Sequence, residues 1–147
     1  MSLEDTTLTL TIESRTEKLR LVRDFIADAA RKFGFDTESV HKIALAVDEA
    51  CTNVIKHSYK FAADKTIEIA VQTRNGAFEV VIYDEGVSFD PRAVHNPDMK
   101  EYLQHYRKGG LGMYLMRSLM DKIEYRAIDK KRNEMHLTKF LRPRVHH

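Results

Sequence analysis

Two alternating, β-branched runs, Thr66 to Thr73 (TIEIAVQT) and Phe78 to Tyr83 (FEVVIY), flank the pair Asn75-Gly76. Alternation of this kind puts every second side chain on one face of a strand. Asn and Gly both tolerate positive φ, which a two-residue hairpin turn demands. The middle of the chain is therefore committed to an antiparallel hairpin with one apolar face. A hairpin alone is barely stable in water, so that face must be covered by other elements.

The preceding sequence supplies the cover. Leu8 to Ile12 (LTLTI) reads as another strand. Ser14 and Glu17 then make the S-x-x-E pattern of a capping box, which predicts a helix start with Ser14 as its cap. Leu19, Val22, Phe25, Ile26, Ala29, Ala30 and Phe33 follow at the helical period, and Gly34 ends the helix. A second helix begins after Asp36. Its stripe of Val40, Ile43, Ala44, Val47, Ala50, Cys51 and Val54 runs unbroken to about His57.

Between Asp84 and Gly112 no period is sustained, and the stretch holds four of the six glycines together with Pro91 and Pro97. A loop this long in a compact domain is usually functional or mobile, and here it reads as a lid. Leu111 to Met120 reads as a helix. Ile123 to Ile128 and Met135 to Leu141 read as final strands around a turn at Asp129 to Asn133. The order β-α-α-β-β-loop-α-β-β contains few parallel crossovers. It predicts an α+β two-layer sandwich, a mixed and mostly antiparallel sheet with helices on one face.

Length and charge narrow the classes. A chain of 147 residues is expected to form one domain, 1–147, with its core spanning about 7–141. Lys and Arg total 24 against 22 Asp and Glu, not the dominant basic field of a nucleic-acid-binding protein. A single cysteine, Cys51, rules out an internal disulfide and suits a reducing compartment. The N-terminus shows no signal-peptide pattern, and no apolar stretch nears the ~18 residues that span a bilayer. A cytoplasmic location is expected, with neither nucleic acid nor membrane as partner. His146 and His147 read as a solvated tail.

Three segments carry residues suited to chemistry. Glu49 and Asn53 are four apart on the second helix, so they project from one side one turn apart. Glu49 has the chemistry of a general base or of a group orienting a nucleophile. Asn53 offers a hard oxygen of the kind Mg²⁺ accepts beside phosphates and water. An ordinary solvated helix face would look the same. The second segment, Asp84-Glu85-Gly86-Val87-Ser88-Phe89-Asp90, leaves a strand. There Asp84 suits the exocyclic amine of adenine, and Gly86 allows close approach to a flat base; a plain acidic turn is the alternative. The third, Arg107-Lys108-Gly109-Gly110-Leu111-Gly112, runs into a helix. Its glycine amides and the helix N-terminus favour an anion, and Arg107 or Lys108 adds a full charge; a simple helix entry is the alternative. It lacks the Gly-Lys-Ser/Thr of a Walker loop.

In this order the segments resemble the N, G1 and G2 boxes of the GHKL ATPase superfamily. The matching stretches are DEACTNVIKHSY (48–59), DEGVSFD (84–90) and GGLGMYLMRSLMD (109–121). The first of them, and the closing strand EMHLTKFL, are especially similar to the anti-sigma-factor serine kinases. The resemblance runs from the first strand to Leu141 and implies the Bergerat version of the predicted sandwich. It implies that Asn53 holds Mg²⁺, that Glu49 activates the attacking hydroxyl, and that Asp84 binds the adenine amine with Gly86 beneath the ring. It further implies that Gly109, Gly110, Leu111 and Gly112 surround the phosphates of ATP, with Lys108 or Arg107 at the γ-phosphate. Two departures stand out. Ser88 occupies the place of a second glycine, and Arg132-Asn133-Glu134-Met135 lacks the usual Gly-Thr pair, which leaves the threonine near the adenine-binding Asp unassigned. Thr138 is a poor substitute.

The function so implied is ATP-dependent phosphorylation of a serine on a small anti-sigma-factor antagonist, by a homodimer that also holds a sigma factor. The alternative is a nucleotide-gated binding module of the same fold without kinase activity. The catalytic half of a histidine kinase is disfavoured, because no phosphoacceptor helix pair precedes the first strand.

Overall fold

The structure, a computed structural model, describes residues 6–86, 112–128 and 132–142. β1 (Thr7–Glu13) leads through one 3₁₀ turn (Thr16–Lys18) into α1 (Leu19–Phe33). Next come α2 (Thr37–Asn53), which continues into a π-helical turn (Val54–Ser58), and the hairpin β2 (Thr66–Arg74) and β3 (Ala77–Asp84). Finally come α3 (Gly112–Leu119), β4 (Lys122–Ile128) and β5 (Arg132–Phe140). The strands lie in the order β1-β2-β3-β5-β4, and every pairing among them is antiparallel.

Strand alternation divides the sheet into two unlike faces. Ile67, Ile69 and Val71 of β2, Phe78, Val80 and Ile82 of β3, and Leu137 of β5 share the buried face. Onto it pack Val22, Ile26 and Ala29 of α1, Val40, Ile43, Val47 and Ala50 of α2, and Met116 of α3. The predicted α+β sandwich is thus the observed architecture, with the described helices packed into one core against one side of the sheet. The other face is mostly polar. There His136 lies between Glu134 (2.9 Å) and Glu79 (3.4 Å).

Local signals were followed closely. Asn75 and Gly76 take φ of 47° and 79°, the double positive of the hairpin turn. Gly34, at φ 117°, caps α1 by donating to the carbonyls of Ala30 and Arg31. Asp36 caps α2, its carboxylate accepting from Ser39 N at 2.8 Å.

Three expectations need correction. Ser14 does not cap a helix. It is buried and its hydroxyl donates to Ala62 O, while α1 has Lys18 at its N-cap with no side-chain bond. A buried hydroxyl must find a partner, and here a carbonyl distant in sequence displaced the local one. The helical period read through His57 also conceals the change from α to π geometry after Asn53. Finally, Asn133 is no turn residue: β5 begins at Arg132, and Asn133 pairs with Asp84. Its polar side chain hid it from the alternation pattern.

Phe78 is fully buried, with Phe33 and Phe35 at ring-centroid distances of 5.7 and 5.6 Å. Replacing it with Ala should cost about 3–5 kcal/mol, read as a lowered urea midpoint.

Candidate functional site

On α2, Glu49 and Asn53 fall one turn apart as expected, and both are half-buried. Among the described residues Glu49 Oε2 is buried without a hydrogen-bond partner. Burial, and then the neighbouring Asp48 carboxylate, hold the Glu49 pKa above the ordinary carboxylate value, with Lys56 opposing. Asp48 itself bonds Arg23 at 2.8 Å. A buried polar atom without a partner is rare in folded proteins and concentrates where chemistry is done.

The π turn joins this helix face to the end of β3. Tyr59 N donates to Val54 O at 2.9 Å, five residues back rather than four. The added residue turns Ser58 and Tyr59 towards the strand exit. The Tyr59 hydroxyl donates to Thr66 O (2.7 Å) and accepts from Glu85 N (2.8 Å), linking the two strands of the hairpin at that end. Lys60 and Phe61 follow in left-handed conformation, at φ of 49° and 65°. For a phenylalanine that conformation is strained, and Phe61 N is held by Ile55 O at 2.8 Å.

Asp84 closes β3 with 4 % exposure. Its Oδ1 accepts from Gly86 N at 2.8 Å and from Asn133 Nδ2 at 2.9 Å. Asn133 Nδ2 also donates to Gly86 O at 3.1 Å. Burial raises the Asp84 pKa, and hydrogen bonds from Asn133, Gly86 and Ser58 oppose the rise. Asn133 thus provides a donor beside Asp84 that the sequence reading did not pick out. It could have been found as the polar residue in phase with the inward positions Met135 and Leu137 of β5. Thr138 is bonded elsewhere in the fold, its carbonyl accepting from Asp121 N at 2.9 Å.

Gly86 is needed for a reason the sequence did not give. A Cβ there would lie 2.4 Å from Ser58 O and 2.6 Å from Ser58 C. The close approach it permits is to the end of the π turn. Gly112 opens α3. Arg107, Lys108, Gly109, Gly110 and Leu111 lie outside the described residues, as does Ser88. Ten residues of helix run from Glu49 to Ser58, and Ser58 and Tyr59 tie the end of that run to Asp84, Glu85 and Gly86. A separate cleft of about 420 Å³ lies along the polar face of the sheet, lined by Gln72, Arg74, Glu79 and Thr138 among others, and touches none of them.

Gly86→Ala forces side chain into backbone, so it should destabilise the fold by about 1–3 kcal/mol, seen as a lower melting temperature.

Residues 12–139 match the histidine kinase-like ATPase domain family. A serine-protein kinase RsbW of Halalkalibacterium halodurans is 31% identical over 122 residues, covering 80% of this chain and 74% of that protein. The serine-protein kinase RsbW of Bacillus pumilus is 33% identical over 144 residues, covering 92% and 87%. Among solved structures, the RsbU and RsbW domains of Rv1364c from Mycobacterium tuberculosis superpose with a TM-score of 0.65 at 17% identity, over 92% of this chain and 32% of that one. At that identity the superposition speaks to the fold. By the family match and these relatives, the chain belongs to the histidine kinase-like ATPase domain family, in the branch of the RsbW serine-protein kinases.

Proposed function

We propose that this chain is a protein serine kinase that binds ATP with Mg²⁺ and phosphorylates a small anti-sigma-factor antagonist, acting as an anti-sigma factor towards a sigma factor. Family membership supports the ATP site, and the names of the relatives support serine as the acceptor. A single ATP-binding domain, a homodimer and a cytoplasmic setting belong to the same reading. No described helix is long and apolar enough to cross a membrane.

The residues present suit the nucleotide. Asp84 is a buried acceptor fixed by its own donors, as recognition of an adenine amine requires. Mg²⁺ typically takes few protein oxygens beside phosphates and water. Asn53 would supply such an oxygen. Gly109, Gly110, Leu111 and Gly112 would present backbone to the phosphates, with Lys108 or Arg107 at the γ-phosphate. Bound Mg²⁺-ATP supplies the phosphoryl group and neutralises its charge. Glu49 then takes the proton of the substrate serine as its oxygen bonds to phosphorus and the bond to the ADP oxygen breaks.

The observation that carries this reading is the buried oxygen of Glu49, which has no hydrogen-bond partner among the described residues. A module that only binds nucleotide has no use for a half-buried carboxylate of raised pKa, whereas a general base works best with its pKa moved towards the operating pH. With labelled ATP, Mg²⁺ and a candidate antagonist, Glu49→Gln should lower the transfer rate by at least ~100-fold and leave ATP affinity near wild type. A variant as active as wild type would remove Glu49 from the base role. Binding of ATP with no transfer to any partner would favour the nucleotide-gated module.

The sign of the pH effect follows from the raised pKa. Activity needs the carboxylate, so the acid limb of the rate profile should lie above the ordinary value of 4.5. Stability runs the opposite way. The protonated form is favoured in the fold, so the contribution of Glu49 is full below its unfolded pKa and lost as pH rises through the folded one. Glu49→Gln should therefore melt at or above wild type at neutral pH, and the difference should vanish below about pH 4.

A further inference from the structure

Asn133 faces Asp84 across β3 and β5 and is 1 % exposed. Its carboxamide nitrogen carries two hydrogens, and both bridge one turn: to Asp84 Oδ1 at 2.9 Å and to Gly86 O at 3.1 Å. Gly86 N reaches the same Oδ1 at 2.8 Å. A carboxylate oxygen has two in-plane lone pairs, so Oδ1 is fully engaged by the protein. Ser58 adds a further bond to this carboxylate. The two oxygens of Asp84 are therefore unequal, and an incoming donor has only the side of Oδ2 to bond.

We propose that Asn133 sets the base selectivity of the site, by reducing Asp84 to a single-point acceptor. An adenine edge offers such an acceptor one exocyclic N–H. A guanine edge offers two parallel donors, N1–H and N2–H, which match a carboxylate with both oxygens open. With Oδ1 engaged, the second guanine donor faces an oxygen that has no lone pair for it, and an unmatched buried donor is penalised. The bond to Gly86 O also fixes the peptide against which the base would lie. Asn133 is a positioning residue in this scheme, since it acts through Asp84. The inference rests on Asp84 being the adenine contact.

The test compares Mg-ATP and Mg-GTP binding by calorimetry for wild type, Asn133→Ala and Asn133→Thr, each with a melting curve as a check on folding. Wild type should prefer ATP. Asn133→Ala should narrow the ATP-to-GTP affinity ratio by about tenfold or more, because the loss of its donor opens one lone pair of Oδ1 while Gly86 N keeps the other. Asn133→Thr, which keeps one donor for Asp84, should hold the ratio within about threefold of wild type. If Asn133→Ala does not fold, Asn133→Val takes its place, being close to Thr in shape without a donor. Equal weakening of both nucleotides, with the ratio unchanged, would reduce Asn133 to a packing role and overturn the proposal. Failure of wild type to bind Mg-ATP would instead overturn the adenine reading of Asp84 itself, and the selectivity argument with it.

Discussion

A carboxylate with 4 % exposure sits where three parts of the chain meet: the exit of β3, the start of β5 and the end of the helix that precedes the hairpin. Burying that charge is costly unless donors surround it. Asp84 draws its donors from Gly86 beyond it, from Asn133 across the ladder and from Ser58 on the π turn. The register of β3 against β5, the extra residue in the π turn and the missing Cβ at Gly86 are all conditions of the same cluster. A shift in any one of them would leave the charge short of a partner.

Glu49 makes the opposite arrangement. Its Oε2 is buried with no partner among the described residues, and its negative neighbour Asp48 adds to the cost. One carboxylate is thus surrounded by donors, and the other lacks a partner among the described residues. Functional groups are commonly maintained against stability in this way, with the surrounding packing carrying the cost. Here the packing is the core under α2, where Ile43, Val47 and Ala50 are buried.

What the sequence made legible was local. The Asn75-Gly76 turn, the Gly34 cap, the start of α2 after Asp36 and the helical stripes as far as Asn53 each depend on a few adjacent residues, and each forms as read. Glu49, Asn53, Asp84 and Gly86 could be picked out because their types and spacing suggest chemistry. What stayed hidden depends on contacts between distant segments. Ser14 satisfies the local capping pattern but bonds Ala62, and Asn133 looks like a turn residue until its pairing with Asp84 is known. The π turn leaves the apolar stripe intact, so periodicity gives no sign of it. Gly86 was singled out for close approach to a flat base, and the close neighbour the structure gives it is Ser58.

The five residues Val54–Ser58 also govern angular phase. A helix advances about 100° per residue, so loss of one residue there, with α geometry restored, would swing Ser58 and Tyr59 off the strand exit while leaving Glu49 and Asn53 where they are. The helix face and the strand exit would fall out of alignment though every named side chain survived. Chain length in this short stretch is therefore as informative as residue identity, and a gap there in a related chain would mark a protein in which these two segments meet differently.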